Sequence, residues 1–369
     1  MLTAHQLRHF AASRTLFQAR GITEAVRRLG FVQADPIRAP ARAQDLILRH
    51  RVSGYTAGRL ESHYPRLPLS EEMVHVYGFL PSPQRSLLHP GNVSPGWREF
   101  EQKHRRLRAK VLAFMREAGT AHPRDVERAV GKGAVENGWG SSSSATTLLL
   151  EALQRRGILR VVRRDNGVRV YGLCDLPDRI SPRERADGLV RLFIGLYAPL
   201  PERTLNQLIH MLGLRAPSVD PRTRAPVLAK RGEFRREIFE GNAWLWPAHE
   251  EVETEADERV RFLAPFDPIV WDRRRFGWLW GWDYRFEAYT PPAKRKMGYY
   301  ALPILWSERI IGWVNVNRSA AGEARGSAGK LDVVPGFVES RPRGAGFKRE
   351  YEAEVERLRA FLAREVEQN

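Results

Sequence analysis

At 369 residues the chain is long enough for two or three compact units, each with its own core. Lys and Arg total 60 against 43 acidic residues, giving +17 at pH 7 and a pI near 10.5. That excess favours a polyanionic partner, and the predominance of Arg suits forked recognition of phosphate. The single cysteine, Cys174, excludes an intrachain disulfide and a cysteine-rich metal site. No apolar run is long enough to span a bilayer, and Met1-Leu2-Thr3-Ala4-His5 lacks the layout of a signal peptide, so a cytoplasmic protein without membrane contact is expected.

Leu7, Phe10, Ala11 and Phe17 recur at helical spacing, predicting a helix over Ala4 to Gln18 that ends at Gly21. A second helix runs through Glu24, Ala25, Val26 and Leu29, with Thr23 as its cap and Gly30 as its stop. The following Phe31 to Ile37 reads as extended, which puts Gln33 and Asp35 on one face, and Pro36 restricts Asp35 to that conformation. An amide and a carboxylate converging on one small target can hold and activate a water molecule, although the same spacing is common among surface and capping residues. Ala39 to Val52 is predicted as a helix with Arg38, Arg42, Arg49 and Arg51 on or beside it, either meeting a substrate or forming a solvated basic face. Pro and Gly then cluster from Leu67 to Gly96, a loop-rich stretch closing a first unit, 1–96.

The second unit, 97–178, has the clearest pattern. Helices are predicted over Trp97 to Ala118, Pro123 to Val130 and Ala145 to Arg156, the last with Leu148, Leu149 and Leu153 facing a core. The strands Ile158 to Arg163 and Val168 to Leu173 pair across Asp165-Asn166-Gly167, a strong hairpin signal. Three helices and a basic two-stranded wing make a winged helix. The third unit, 179–255, repeats the plan with helices Pro182 to Tyr197, Pro201 to Leu212 and Pro221 to Lys230, then strands flanking Glu240-Gly241-Asn242. Winged helices bind duplex DNA or dock proteins, and repeated basic copies favour DNA.

In the last unit, 256–369, a Trp-rich stretch from Phe276 to Tyr284 precedes strand-like segments Arg285 to Tyr289, Tyr299 to Trp306 and Arg309 to Asn317. Lys294-Arg295-Lys296 would sit at a hairpin tip able to enter a groove, or in an ordinary solvated loop. Lys348 to Glu367 reads as a closing amphipathic helix.

Together these blocks resemble the winged-helix DNA glycosylases of the AlkZ and YcaQ type, more closely the YcaQ-like branch. The resemblance rests on Leu29-Gly30-Phe31-Val32-Gln33-Ala34-Asp35-Pro36-Ile37, on Leu263-Ala264-Pro265-Phe266-Asp267-Pro268-Ile269-Val270-Trp271-Asp272-Arg273, and on Gly298-Tyr299-Tyr300-Ala301-Leu302-Pro303. It implies an α+β fold of three tandem winged-helix modules with a small C-terminal β-barrel, and excision of alkylated purines, including those in interstrand crosslinks. By resemblance Gln33 and Asp35 fall on the catalytic Gln-x-Asp motif and Lys294 and Arg295 on a DNA-contacting hairpin. Arg38, Arg42 and Lys296 join them as expected DNA contacts. Relatives usually carry a His-Glu pair near His75; here Val76 replaces the acidic residue, which leaves His75 a possible site-lining residue of open role.

The expected chemistry is set by the leaving group. A purine alkylated at N7 is already cationic, so the remaining barrier is an oxocarbenium-like sugar and its capture by water. Asp35 would stabilise that charge and accept the water's proton while Gln33 orients the water, with no metal or organic cofactor required. The expected partner is duplex DNA, bound by a nucleoid-associated monomer. The competing reading is a non-catalytic winged-helix transcription regulator, and a protein-docking array is a third.

Overall fold

The computed structural model describes residues 2–91, 95–136, 142–175, 180–215, 232–251, 257–318 and 331–363. The chain opens with α1 (Ala4–Thr15), α2 (Ile22–Leu29), β1 (Val32–Gln33), α3 (Ala43–Leu48) and α4 (Arg59–His63). Next come β2 (Leu69–Met73), β3 (Tyr77–Pro81), α5 (Pro95–Lys103), α6 (Arg105–Ala118), β4 (Thr120–Ala121), α7 (Pro123–Val130), β5 (Ala134–Glu136), β6 (Ser142–Ser144), α8 (Ala145–Arg155), β7 (Leu159–Asp165) and β8 (Val168–Leu173). The remainder holds α9 (Pro182–Tyr197), β9 (Leu200–Pro201), α10 (Glu202–Arg215), β10 (Phe234–Phe239), β11 (Asn242–Pro247), β12 (Val260–Phe262), the helix Arg273–Trp280, β13 (Leu302–Trp306), β14 (Arg309–Arg318), β15 (Leu331–Phe337) and the helix Ala345–Ala363. The expected mixture of helix and strand is present. By compactness the chain divides into unit 1, Met1–Leu60 with Leu192–Asn206 and Leu228–Val366, and unit 2, Glu61–Arg191 with Gln207–Val227 and Glu367–Asn369.

In unit 2, α6, α7 and α8 enclose a core of Val111, Met115, Val126, Leu149 and Leu153, closed by Val161 and Tyr171 of the sheet. The sheet order is β4-β8-β7, and Asn166 and Gly167 both adopt positive φ, as the tight turn between β7 and β8 requires. The long helix expected over Trp97 to Ala118 is broken at His104, and Thr120 lies in β4 while His122 caps α7. The stretch read as loops contains an antiparallel hairpin, β2 with β3. Its strands are almost wholly buried and lack the polar alternation that marks a half-exposed strand.

In unit 1 a second sheet has the order β9-β11-β10 with positive φ at Glu240 and Gly241. It repeats the plan of β4-β8-β7, with a short strand beside the second strand of the wing. The helix expected over Pro221 to Lys230 lies outside the described residues. α1 begins with a reciprocal capping box between Thr3 and Gln6 and ends at Thr15, well before Gly21, which instead serves as N-cap of α2 in place of Thr23. Leu7, Phe10 and Ala11 of α1 pack with Trp244, Trp246 and Leu279, so α1 is a core helix. Fully burying each large apolar side chain contributes about 1.5–3 kcal/mol.

The C-terminal strands form an open four-stranded sheet, β12-β13-β14-β15, not the expected closed barrel. Strand β12 is covered from its edge by the helix Ala345–Ala363. The Glu354 carboxylate accepts from the Phe262 N–H at 3.1 Å, and Arg357 donates to the Val260 carbonyl at 3.1 Å. Edge backbone groups that a barrel would satisfy by closure are thus met by side chains of a helix. Among the described residues no helix is long and apolar enough to cross a membrane.

Candidate active site

Gly30 ends α2 at φ +80°, and a side chain there would come within 2.6 Å of Leu192 Cδ1, so glycine is required where the chain turns into the Gln-x-Asp segment. Phe31 and Val32 are buried and anchor the segment from Gln33 to Asp35. The extended run expected to reach Ile37 stops at Gln33. Beyond it, Asp35 Oδ1 accepts from the Ile37 N–H at 2.9 Å, closing a local turn, and the Asp35 N–H donates to Gln44 Oε1 at 3.4 Å. A short carboxylate side chain competes with strand pairing for nearby backbone donors, and Pro36 has no N–H to offer a ladder. Asp35 is therefore oriented by its own turn rather than by strand alternation.

Gln33 and Asp35 are both half-buried. Burial pushes the Asp35 carboxyl above the ordinary aspartate range, and the hydrogen bond from Ile37 draws it part of the way back. Among the described residues no cation is paired with it. Gln33 Oε1 is buried without a hydrogen-bond partner among the described residues.

Tyr300, part of the third family block, is buried. Its ring is held edge-on by Phe286 at 5.3 Å and Phe266 at 6.4 Å between centroids, and its hydroxyl is buried with no partner among the described residues. Burial first, and then the negative charge of Asp35, push this phenol well above the ordinary tyrosine range, so it remains an O–H donor at every physiological pH.

The arginines following the motif divide sharply. Arg51 is fully buried, donating twice to Asp267, at 2.8 and 3.0 Å, and to the carbonyls of Thr15 and Ile47. Arg49 pairs with buried Glu354 and donates to the Phe262 carbonyl. The predicted helix over Ala39 to Val52 shrinks to α3, which is buried on every side, so neither arginine belongs to a basic outer face. Arg38 is exposed and Arg42 half-buried at the start of α3. Asp267, part of the second family block, is likewise structural, and Asp272 caps the helix Arg273–Trp280 through the N–H groups of Arg274 and Arg275.

Lys294, Arg295 and Lys296 lie on a folded loop, not a β-hairpin tip, because Arg285 to Tyr289 forms no strand. A short 3-10 turn covers Pro292–Lys294. Buried Glu287 organises the loop, accepting from the N–H groups of Lys296, Met297 and Gly298 at distances from 2.7 to 3.2 Å. Lys294 and Lys296 are exposed; Arg295 donates to the Thr290 carbonyl and lies 5.1 Å from the Tyr299 ring centroid. In unit 2, His75 is fully buried in the loop between β2 and β3.

Comparison with known proteins bears on this geometry. A family model for AlkZ-like DNA glycosylases matches residues 26–361. Among solved structures, the Streptomyces sahachiroi DNA glycosylase AlkZ is similar with a TM-score of 0.64 at 16% identity, covering 98% of this chain and 96% of that one. At that identity the likeness speaks for the fold, which is winged-helix-like. Matched over nearly its whole length, the chain belongs to the AlkZ-like DNA glycosylases, repair enzymes that hydrolyse N-glycosidic bonds in DNA.

Proposed function

We propose that this glycosylase excises cationic N7-alkylated purines from duplex DNA and unhooks interstrand crosslinks formed through such purines, as a member of the Gln-x-Asp branch. Asp35 stabilises the oxocarbenium-like sugar and takes the proton of the attacking water, and Gln33 orients that water. The observation that carries this reading is the partly desolvated Asp35 carboxylate, which has no cation among the described residues and lies two positions from Gln33, whose buried amide oxygen has no partner among them. An arginine partner would cancel the field that a developing sugar cation needs. A partly dry surrounding strengthens that field relative to water.

The DNA is held by Arg38, Arg42, Lys294, Arg295 and Lys296, mainly through phosphate and with little sequence preference. The exposed Lys294 and Lys296 on a loop pinned by Glu287 support that role. The division into winged helices at 1–96, 97–178 and 179–255, followed by the open sheet and its helix at 256–369, belongs to the same proposal. His75 remains a candidate site-lining residue, and the enzyme is taken to act as a monomer.

The test is to incubate the protein with duplex DNA carrying N7-methylguanine and measure free base and abasic sites. A second duplex crosslinked through N7 of guanine reports unhooking. Release of N7-methylguanine is expected; bound but intact substrate would overturn the reading.

A further inference from the structure

We propose that a recess in unit 1, lined by Arg49, Arg259, Arg261 and Arg357, binds a small phosphate compound carrying at least two negative charges. The recess has a volume of about 500 Å³, within the range of about 300–1,000 Å³ usual for small-molecule sites. Its walls are the turn Val52 to Thr56, the strand β12 with Arg259 just before it, and the end of the helix Ala345–Ala363, all of unit 1. Among the described residues, none from the Gln-x-Asp segment or the Lys294-to-Lys296 loop lines it.

Local geometry gathers the charge. Arg259 and Arg261 are two apart in extended chain, and so share a face. Glu354 and Arg357 are three apart on a helix, and so are neighbours on its surface. Glu354 is the one lining carboxylate among the described residues, and it is fully engaged with the wall. It accepts from Arg49 at 2.5 Å, from Arg357 at 2.9 Å and from the Phe262 N–H at 3.1 Å, which fixes two guanidiniums in place. Asp257 takes a hydrogen bond from Arg261 but lies 3.8 Å from Arg259. Four guanidiniums thus face one lining carboxylate, and counting Asp257 as well leaves an excess of two positive charges. The side chains of Arg259 and Arg357 are still 58% and 43% exposed, so both can offer N–H groups to a ligand.

His50, a buried lining residue, registers this field. Burial first, and then the charge of Arg49, hold its ring well below the ordinary histidine range; the bond from Nε2–H to the Phe262 carbonyl, 2.9 Å long, opposes them only in part. Surroundings that resist a further positive charge favour an anion. The planar fork of arginine matches phosphate oxygens two at a time, and Ser53 and Thr56 among the lining residues carry hydroxyls that can donate to the same oxygens. A duplex presents its phosphates along a broad rod, whereas a recess between turn, strand and helix suits a ligand that enters whole.

Isothermal titration calorimetry of the full chain with inorganic pyrophosphate tests this. Saturable binding at one site per chain is expected, and its absence would overturn the inference. Arg259→Glu should weaken binding about tenfold or more, the scale of one charge-assisted contact. Its melting temperature should hold, since only a 3.8 Å contact is lost. Arg357→Gln should weaken binding as well, which gives a second reading of the same recess. Lys294→Glu changes the net charge by the same amount on another loop, and should leave pyrophosphate affinity in place. Equal weakening by Arg259→Glu and Lys294→Glu would mean general attraction to a basic protein and would also overturn it. Protein saturated with duplex should bind pyrophosphate as the free protein does. Loss of binding there would give the recess to the DNA backbone instead of a small anion. None of these readings depends on Gln33 or Asp35.

Discussion

Two polar regions within unit 1 contrast in how their charges are met. Around Arg51 and Asp267 both side chains are fully buried, and Arg51 donates to the carboxylate twice and to two backbone carbonyls. Around Gln33 and Asp35, among the described residues, the carboxylate has no cation and the Gln33 amide oxygen has no partner. The first region ties the segment after the Gln-x-Asp motif to the Pro265-to-Pro268 turn. The second holds a partly desolvated carboxylate oriented by its own backbone turn. The first region is architecture, and the proposed function assigns the second to chemistry.

Breaking the first region should have the largest effect. Arg51→Met leaves Asp267 buried without a counter-charge, and unfolding in urea should show a loss of about 3–5 kcal/mol. An unchanged midpoint would mean the pair is not what holds the turn.

The second region should respond in the opposite way. Asp35→Asn should slow single-turnover excision about a hundredfold or more, the scale of one lost electrostatic group in an active site. Its folded-state pKa is raised, so the folded protein holds the proton more tightly than the unfolded chain, and stability falls as pH rises through that raised value. At neutral pH the ionised carboxylate therefore costs stability, and Asp35→Asn should melt at the same or a higher temperature. For the same reason the acid limb of excision should lie above about 4, the range of an ordinary aspartate. A limb at or below that range would remove the argument from desolvation.

Glu287 offers an intermediate case, a satisfied carboxylate in the service of a binding loop. Burial pushes its pKa up, but the N–H groups of Lys296, Met297 and Gly298 more than offset this and leave it lowered. Its stabilising contribution is therefore present above the unfolded value and lost as pH falls through the lower folded one, below about 4.3. Glu287→Ala should cost about 1–3 kcal/mol by leaving those donors short of an acceptor. It should also weaken DNA binding by loosening the Lys294-to-Lys296 loop, measurable by fluorescence anisotropy. Smallest of all, Lys294→Ala should weaken binding to every duplex alike and reduce the slope of log K against log salt by about 0.9. A loss confined to one DNA sequence would argue against a phosphate contact.

The legibility of these regions differs for physical reasons. Asp35 could be singled out because its neighbours in sequence, Gln33 and Pro36, already constrain it. The burial of Tyr300 could not be read this way, because Phe266 and Phe286, which pack edge-on against its ring, come from other segments of the chain. Arg49 and Arg51 were misread as members of a basic face for the same reason. Nothing in Ala39 to Val52 announces Glu354 or Asp267, both more than two hundred residues away.

The sequence by itself determined the local elements and their broad plan. These include the helices with clear apolar periodicity, the Asn166-Gly167 and Glu240-Gly241 wing turns, the glycine stop at Gly30 and the excess of arginine. Backbone preference and side-chain periodicity act over a few residues, so they can be read along the chain. Tertiary structure decided which arginines are inside and that the last sheet is finished by a helix instead of by closure. It also decided that, among the described residues, Asp35 is left without a cation. Those outcomes depend on desolvation and pairing between distant segments, and only the folded chain sets which charges meet.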